Sequence, residues 1–277
     1  MGQAHKSHHF VPAFLLRRWE SGPSGKLLAY RWEGERFLCS ERKATAVANQ
    51  DHLNSMNRES PKPDVSLERG YLGPEIDDKA AVALKAMERA GLQGLSPQMR
   101  EDWARFLVAQ TMRSPNRNEQ MRCISKSFMA KFVRDQLEAA GVPPDEEMLS
   151  SAHELSDTAM KAFRHAVDAS PLWTKTTLAT WCLLEFDKSE GELLIGDEPV
   201  SYFDDEAGEF MLAMPLGPKR LLLACGDPAQ LQRLEQWEVD ALLSMMNEQM
   251  VEQTWRSVYA ASDRYSDFIK ERLPKRY

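Results

Sequence analysis

Lys26-Leu27-Leu28-Ala29-Tyr30-Arg31-Trp32-Glu33-Gly34-Glu35-Arg36-Phe37-Leu38-Cys39-Ser40 decides how this chain folds. Two short runs, Lys26 to Trp32 and Arg36 to Cys39, are rich in aromatic and aliphatic residues. They flank Glu33-Gly34-Glu35, where the glycine supplies a positive φ, so the stretch reads as a β-hairpin. An isolated hairpin does not bury its apolar side and is not stable alone. After Pro171 the texture is β-like again: Leu178 to Phe186 is apolar, and short strand-like runs follow at 192–195, 200–203, 210–214 and 220–224, more than 150 residues after the hairpin, with a closing candidate at 257–261. The hairpin is therefore expected to join those strands in one discontinuous, mixed sheet.

Between the two β-like regions the period is helical. Pro74 suits a first helical position, and Ile76, Ala80, Ala83, Leu84 and Met87 share a stripe ending at Gly91. A second helix is expected from Pro97 to about Ser114, a third from Pro115 to Gly141, and a fourth from about Asp145 to Ala169. A last helix carries Val239, Leu242, Leu243, Met246 and Met250. The fold class is α+β, with a large helical segment at about 66–170 inserted into one domain spanning 1–277.

The formal net charge of −7 argues against a bulk polyanion binder. Residues 100–135 nevertheless hold eight Lys or Arg against four acids, so a nucleic-acid or phosphate patch within 100–134 is one reading and a solvated helix face the other. The four cysteines are widely spaced and form no C-x-x-C pair, which removes the usual zinc spacings and points to a reducing, cytoplasmic home. No window approaches the roughly 18 apolar residues of a membrane helix.

The opening, His8-His9-Phe10-Val11-Pro12-x-Phe14-Leu15-Leu16-x-x-Trp19, resembles that of the bacterial domain-of-unknown-function family numbered 4238. Leu67-Glu68 and Glu75, Gln110-x-x-Arg113-x-Pro115, Asp197-x-Pro199-Val200 and Pro215-Leu216-x-Pro218 follow in that family's order, so the resemblance covers nearly the whole chain. The family pattern has Ser or Thr where this chain has Gly196, and an unbroken helix where it has Gly70, Gly73 and Pro74. The resemblance implies a fold and a shared set of polar residues, and no activity.

The residues that could carry chemistry are few. Gln110 falls in the middle of the Trp103, Phe106, Leu107 stripe, with Arg113 on its edge, so a polar amide points into apolar surroundings. These two either satisfy neighbouring backbone groups or line a pocket in which the Arg113 fork holds a carboxylate or phosphate of a substrate. His8 and His9 face opposite sides of an extended segment, and either imidazole suits a general base or a metal ligand. Asp197 ends a strand, where it orients a histidine, binds metal or simply forms a turn, and Pro199 turns the neighbouring Glu198 away from it. Asp197 is also the expected partner for the Arg113 charge. No phosphate loop, dinucleotide fingerprint, zinc-helix motif or nucleophile elbow is present, and no cofactor is named.

Two functions follow. In the first, the same residues hold the N-terminal segment in place within a binding or regulatory protein. In the second, His8 or His9 with Asp197 forms the catalytic part of a phosphodiesterase- or nuclease-like hydrolase, and Gln110 and Arg113 bind its substrate.

Overall fold

A computed structural model describes residues 6–58, 60–139, 142–143, 158–205 and 209–276. The hairpin forms where expected: β2 (Leu27–Glu33) pairs with β3 (Arg36–Arg42) from Leu27↔Arg42 to Glu33↔Arg36. Gly34 takes φ +55° at the turn, a left-handed conformation that costs glycine no Cβ clash.

Before the hairpin come β1 (Ser7–His9) and the short helix α1 (Ala13–Leu16). Trp19, fully buried, donates from its indole to the Leu193 carbonyl at 2.8 Å and so ties the opening motif to the far end of the sequence. β1 pairs antiparallel with β4 (Asn49–Asp51). Helices follow: α2 (Asp78–Ala90), α3 (Pro97–Met112), α4 (Pro115–Ala139), α5 (Thr158–Asp168) and α6 (Pro171–Leu178). The fourth expected helix is thus present from Thr158, and its portion at 145–157 lies outside the described residues. The chain then enters β5 (Thr180–Glu185), β6 (Ile195–Gly196), β7 (Ser201–Asp204), β8 (Phe210–Gly217) and β9 (Arg220–Cys225). It closes with α7 (Pro228–Glu235), α8 (Val239–Gln253), β10 (Ser257–Ala260) and α9 (Ser266–Arg272).

The α+β class holds, and the hairpin does join distant strands, but the sheets divide differently from the expected one. One four-stranded sheet runs β3-β2-β10-β6 and a second runs β5-β9-β8-β7. Every described pairing is antiparallel, so the expected mixed sheet is corrected on both counts. The physical reason is local. β8 and β9 are joined by a tight connection at Gly217-Pro218-Lys219, so they satisfy each other first, and β5 takes the other edge of β9. The hairpin pairs instead with β10, which is not committed there and carries Ile195–Gly196 on its far side.

Alternation along each strand then sorts side chains between cores. Leu27 and Tyr259 join the main cluster with Trp103, Phe106 and Leu107, whereas Tyr30 and Val258 face Met250, Val251 and Ile269. In the second sheet Leu212, Met214 and Leu222 face the main cluster, while Ala213, Leu221 and Leu223 face Leu242, Leu243 and Met246 of α8. Among the described residues no helix is long and apolar enough to cross a membrane.

One segment defeats helical-wheel reasoning. Glu68–Asp77 is a π-helix of ten residues containing Pro74, and it runs directly into α2. The wider i→i+5 pattern shows in Asp78, whose N–H bonds the Gly73 carbonyl, and it places Glu68 and Asp77 in positions that an α-helical wheel does not give. Such segments recur beside functional sites.

Candidate functional site: three polar networks and a cavity

The first network surrounds Arg113, whose side chain is fully buried at the end of α3. Its fork meets Asp77 with Nη1 on Oδ1 at 2.6 Å and Nη2 on Oδ2 at 2.9 Å, and Nη2 also donates to the His9 carbonyl at 3.0 Å. Gln110 is 1% exposed, and its amide is assigned by its neighbours: with the oxygen toward Arg113 it accepts from Nη1 at 3.2 Å and donates to the Phe10 carbonyl at 2.9 Å. Burial works against the guanidinium charge, and Asp77 more than offsets it. The expected partner Asp197 is therefore replaced by Asp77, which the π-helix aims at Arg113 from its last turn.

The imidazole of His9 stands beside this network, its affinity for a proton lowered first by burial and further by Arg113, with a Thr45 backbone contact opposing. His8 enters a different network. Its Nδ1 accepts the Asn54 backbone N–H at 3.0 Å, and Asn54 joins Glu68 at 2.9 Å and Asn118 at 3.1 Å. Asn118 then accepts from Arg122 Nε at 2.9 Å, and Arg122 donates onward to the Leu53 and Ser55 carbonyls at 3.2 and 2.7 Å. Sequence reasoning missed Asp77, Asn54, Asn118 and Arg122. Asn118 and Arg122 stand at i and i+4 on one face of α4, a signal that a search for buried amides would have raised.

Asp197 is fully buried elsewhere. Its Oδ1 accepts the Trp255 N–H at 2.8 Å, and its Oδ2 accepts those of Arg256 at 2.6 Å and Ser257 at 3.2 Å. Burial without a cationic partner pushes its carboxyl up to about 6, although the three N–H dipoles pull the other way. Glu198 accepts from Ser114 Oγ at 2.9 Å. The structure thus brings His9, Gln110 and Arg113 together and keeps Asp197 apart from them. Among the described residues no group of three His, Cys, Asp or Glu has the geometry to hold a metal ion.

The basic stretch is largely consumed internally. Arg100 donates to the Thr177 carbonyl, Arg105 pairs with Asp168, and Arg117 approaches Glu198, besides the buried Arg113 and Arg122. Lys126, Lys131 and Arg134 on α4 remain exposed.

A cavity of about 400 Å³ opens beside the segments these networks hold. It is lined by Ala46 to Asn49, by Trp255 to Ser257, and by Ala29, Ser40 and Tyr259 of the hairpin sheet. Phe10 lines it too, and its N–H donates to the Ala48 carbonyl at 2.8 Å.

This is an α+β protein of antiparallel sheets whose polar side chains lock backbone around a cavity. The model for "Protein of unknown function (DUF4238)" matches residues 7–264, and the chain belongs to that family. No curated protein and no solved structure matches it.

The departure from the family pattern at Gly196 has a structural counterpart. A Cβ at 196 would lie 1.9 Å from Thr254 Oγ1, so the Thr254 hydroxyl occupies the space a side chain at 196 would need. That hydroxyl donates to the Met250 carbonyl at 2.7 Å. Gly196→Ala is expected to lower stability by about 1–3 kcal/mol through overpacking. In thermal melts, adding Thr254→Ala should recover most of the loss; no recovery would place the strain elsewhere.

Proposed function

We propose that the chain is a cytoplasmic binding module, and that the residues resembling a catalytic set hold the walls of its binding cavity. One observation carries this reading. Gln110 and Arg113 bond the carbonyls of Phe10 and His9, Phe10 bonds Ala48 in the first lining segment, and Asp197 bonds three successive N–H groups in the second. Both networks act on segments that line the same hollow, and neither places its own side chains among the lining. The free cysteines Cys39, Cys123, Cys182 and Cys225 accord with a reducing compartment. The use of most of the basic stretch in internal bonds favours a small ligand over a nucleic-acid duplex.

The test pairs stability with turnover. Gln110→Leu leaves the Phe10 carbonyl and an Arg113 N–H without partners, and should lower stability by about 1–3 kcal/mol. The wild-type protein should leave bis-p-nitrophenyl phosphate and single-stranded DNA intact, with or without added divalent metal. Turnover that Gln110→Leu or Asp197→Asn abolishes while the melting temperature is unchanged would establish the hydrolase instead.

A further inference from the structure

The cavity carries a charge opposite to that of the molecule. Arg31, Arg42, Arg256 and Arg276 line it, and no Asp or Glu stands among its described lining residues, in a chain whose formal net charge is −7. The hollow between these cations follows from the strand pairing. Ala29 opposes Ser40, Leu27 opposes Arg42 and Ser257 opposes Arg31, so small floor residues sit beside long ones that rise around them.

The guanidiniums retain donors for a ligand. Arg42 Nη1 rests on the Glu41 carbonyl at 3.4 Å, Arg256 Nη1 on Gln50 Oε1 at 3.0 Å, and Arg276 Nη2 on the Glu252 carbonyl at 3.1 Å, all neutral acceptors, while Arg31 meets the Glu33 carboxylate. Each guanidinium has five N–H donors in a fork matched to phosphate oxygens. With Arg31 paired to Glu33, the three remaining like charges around one hollow repel one another, and a bound anion removes that cost. One indole completes the lining, Trp255, with the Arg276 guanidinium 5.0 Å from its ring centre; Trp32 also borders the hollow, but its ring is covered by Lys275 Nζ at 4.5 Å and packed on Phe37 at 5.2 Å. The volume of about 400 Å³ lies at the small end of the roughly 300–1,000 Å³ that ligand sites enclose.

We propose that this cavity binds a nucleoside phosphate, its phosphates held by Arg42 and Arg256 and its base against Trp255. The proposal rests on the reading of the chain as a binding module. An anion alone would leave the Trp255 indole unused, and a longer strand exceeds the volume of the hollow.

Isothermal titration of the full chain with ADP, pyrophosphate, adenosine and a dodecamer of thymidylate tests it, with chromatography of the ADP afterwards. ADP should bind, and more weakly as salt rises. Arg42→Ala and Arg256→Ala should each weaken it at least about tenfold with the melting temperature unchanged, because both side chains are exposed and Arg256 serves Asp197 only through its backbone. Pyrophosphate should bind at least about tenfold more weakly than ADP, and adenosine should give no heat. Absence of ADP binding, equal affinity for the variants, equal affinity for pyrophosphate, or tighter binding of the dodecamer each overturns the nucleoside phosphate while leaving the binding-module reading in place. Hydrolysis of the ADP would instead overturn the binding-module reading.

Discussion

Asp77→Ala is expected to destabilise the protein by about 3–5 kcal/mol, the largest loss from any single side chain in the three networks. Arg113 is fully buried and its charge rests on the bidentate contact at 2.6 and 2.9 Å. Removing Asp77 leaves a guanidinium that is neither hydrated nor neutralised, and Arg does not escape by losing its proton. Asp77→Asn keeps one acceptor and should cost less. The double variant Asp77→Leu, Arg113→Met removes the stranded charge and should recover part of the loss, though the His9 carbonyl then loses a donor. Urea denaturation midpoints at neutral pH measure all three. A cost under about 1 kcal/mol for Asp77→Ala would mean that water or another anion reaches Arg113, and the sealed network would be wrong.

Asp197→Ala should cost about 3 kcal/mol at neutral pH, by opposing effects. Three backbone N–H groups lose their acceptor, at about 2 kcal/mol each. Against this, a carboxyl raised from 3.8 to about 6 by burial makes the ionised form unfavourable in the fold by about 3 kcal/mol, and the alanine relieves that. The raised value also fixes the sign of the pH dependence. The folded state holds the proton more tightly than the unfolded one, so this group's contribution is fully present below about pH 4 and is lost as pH rises through about 6. The gap between wild type and Asp197→Ala should therefore be wider at pH 4.5 than at pH 8. A gap that widens toward alkaline pH would show that the three dipoles outweigh desolvation and that the carboxyl lies low. Because Asp197 anchors residues 255–257, the alanine variant should also weaken whatever the cavity binds.

The elements with strong local signals were legible from the residues alone. The hairpin is written in its alternation and in Gly34, α3 in Pro97 and its apolar stripe, and α8 in the spacing of Leu242, Leu243, Met246 and Met250. The burial of Gln110 was legible for the same reason, since a 3.6-residue period fixes which side of a helix a residue occupies. Three short helices were not. Pro171–Leu178, Pro228–Glu235 and Ser266–Arg272 span seven or eight residues each, too few to show a period, and the first carries Trp173 and three threonines that read as strand. They are held by packing against the sheets rather than by propensity.

The candidate site divides the same way. Residue type and position within an element marked His8, His9, Gln110, Arg113 and Asp197 as polar groups in places that demand partners, because a buried polar atom must be satisfied wherever it lies. Which partners they take depends on where distant segments arrive. Asp77 reaches Arg113 through a π-helix that no wheel describes, and Asp197 bonds residues 255–257 because Ile195–Gly196 pairs with β10. The sequence by itself determined the class of fold, the helical phase and the list of polar residues, since these follow from periods of two and 3.6 residues. The tertiary structure alone decided the division into two sheets, the pairing of Arg113 with Asp77 and the ring of arginines around one cavity. Those depend on contacts between segments as far apart as Gln50 and Arg256, whose meeting no local period encodes.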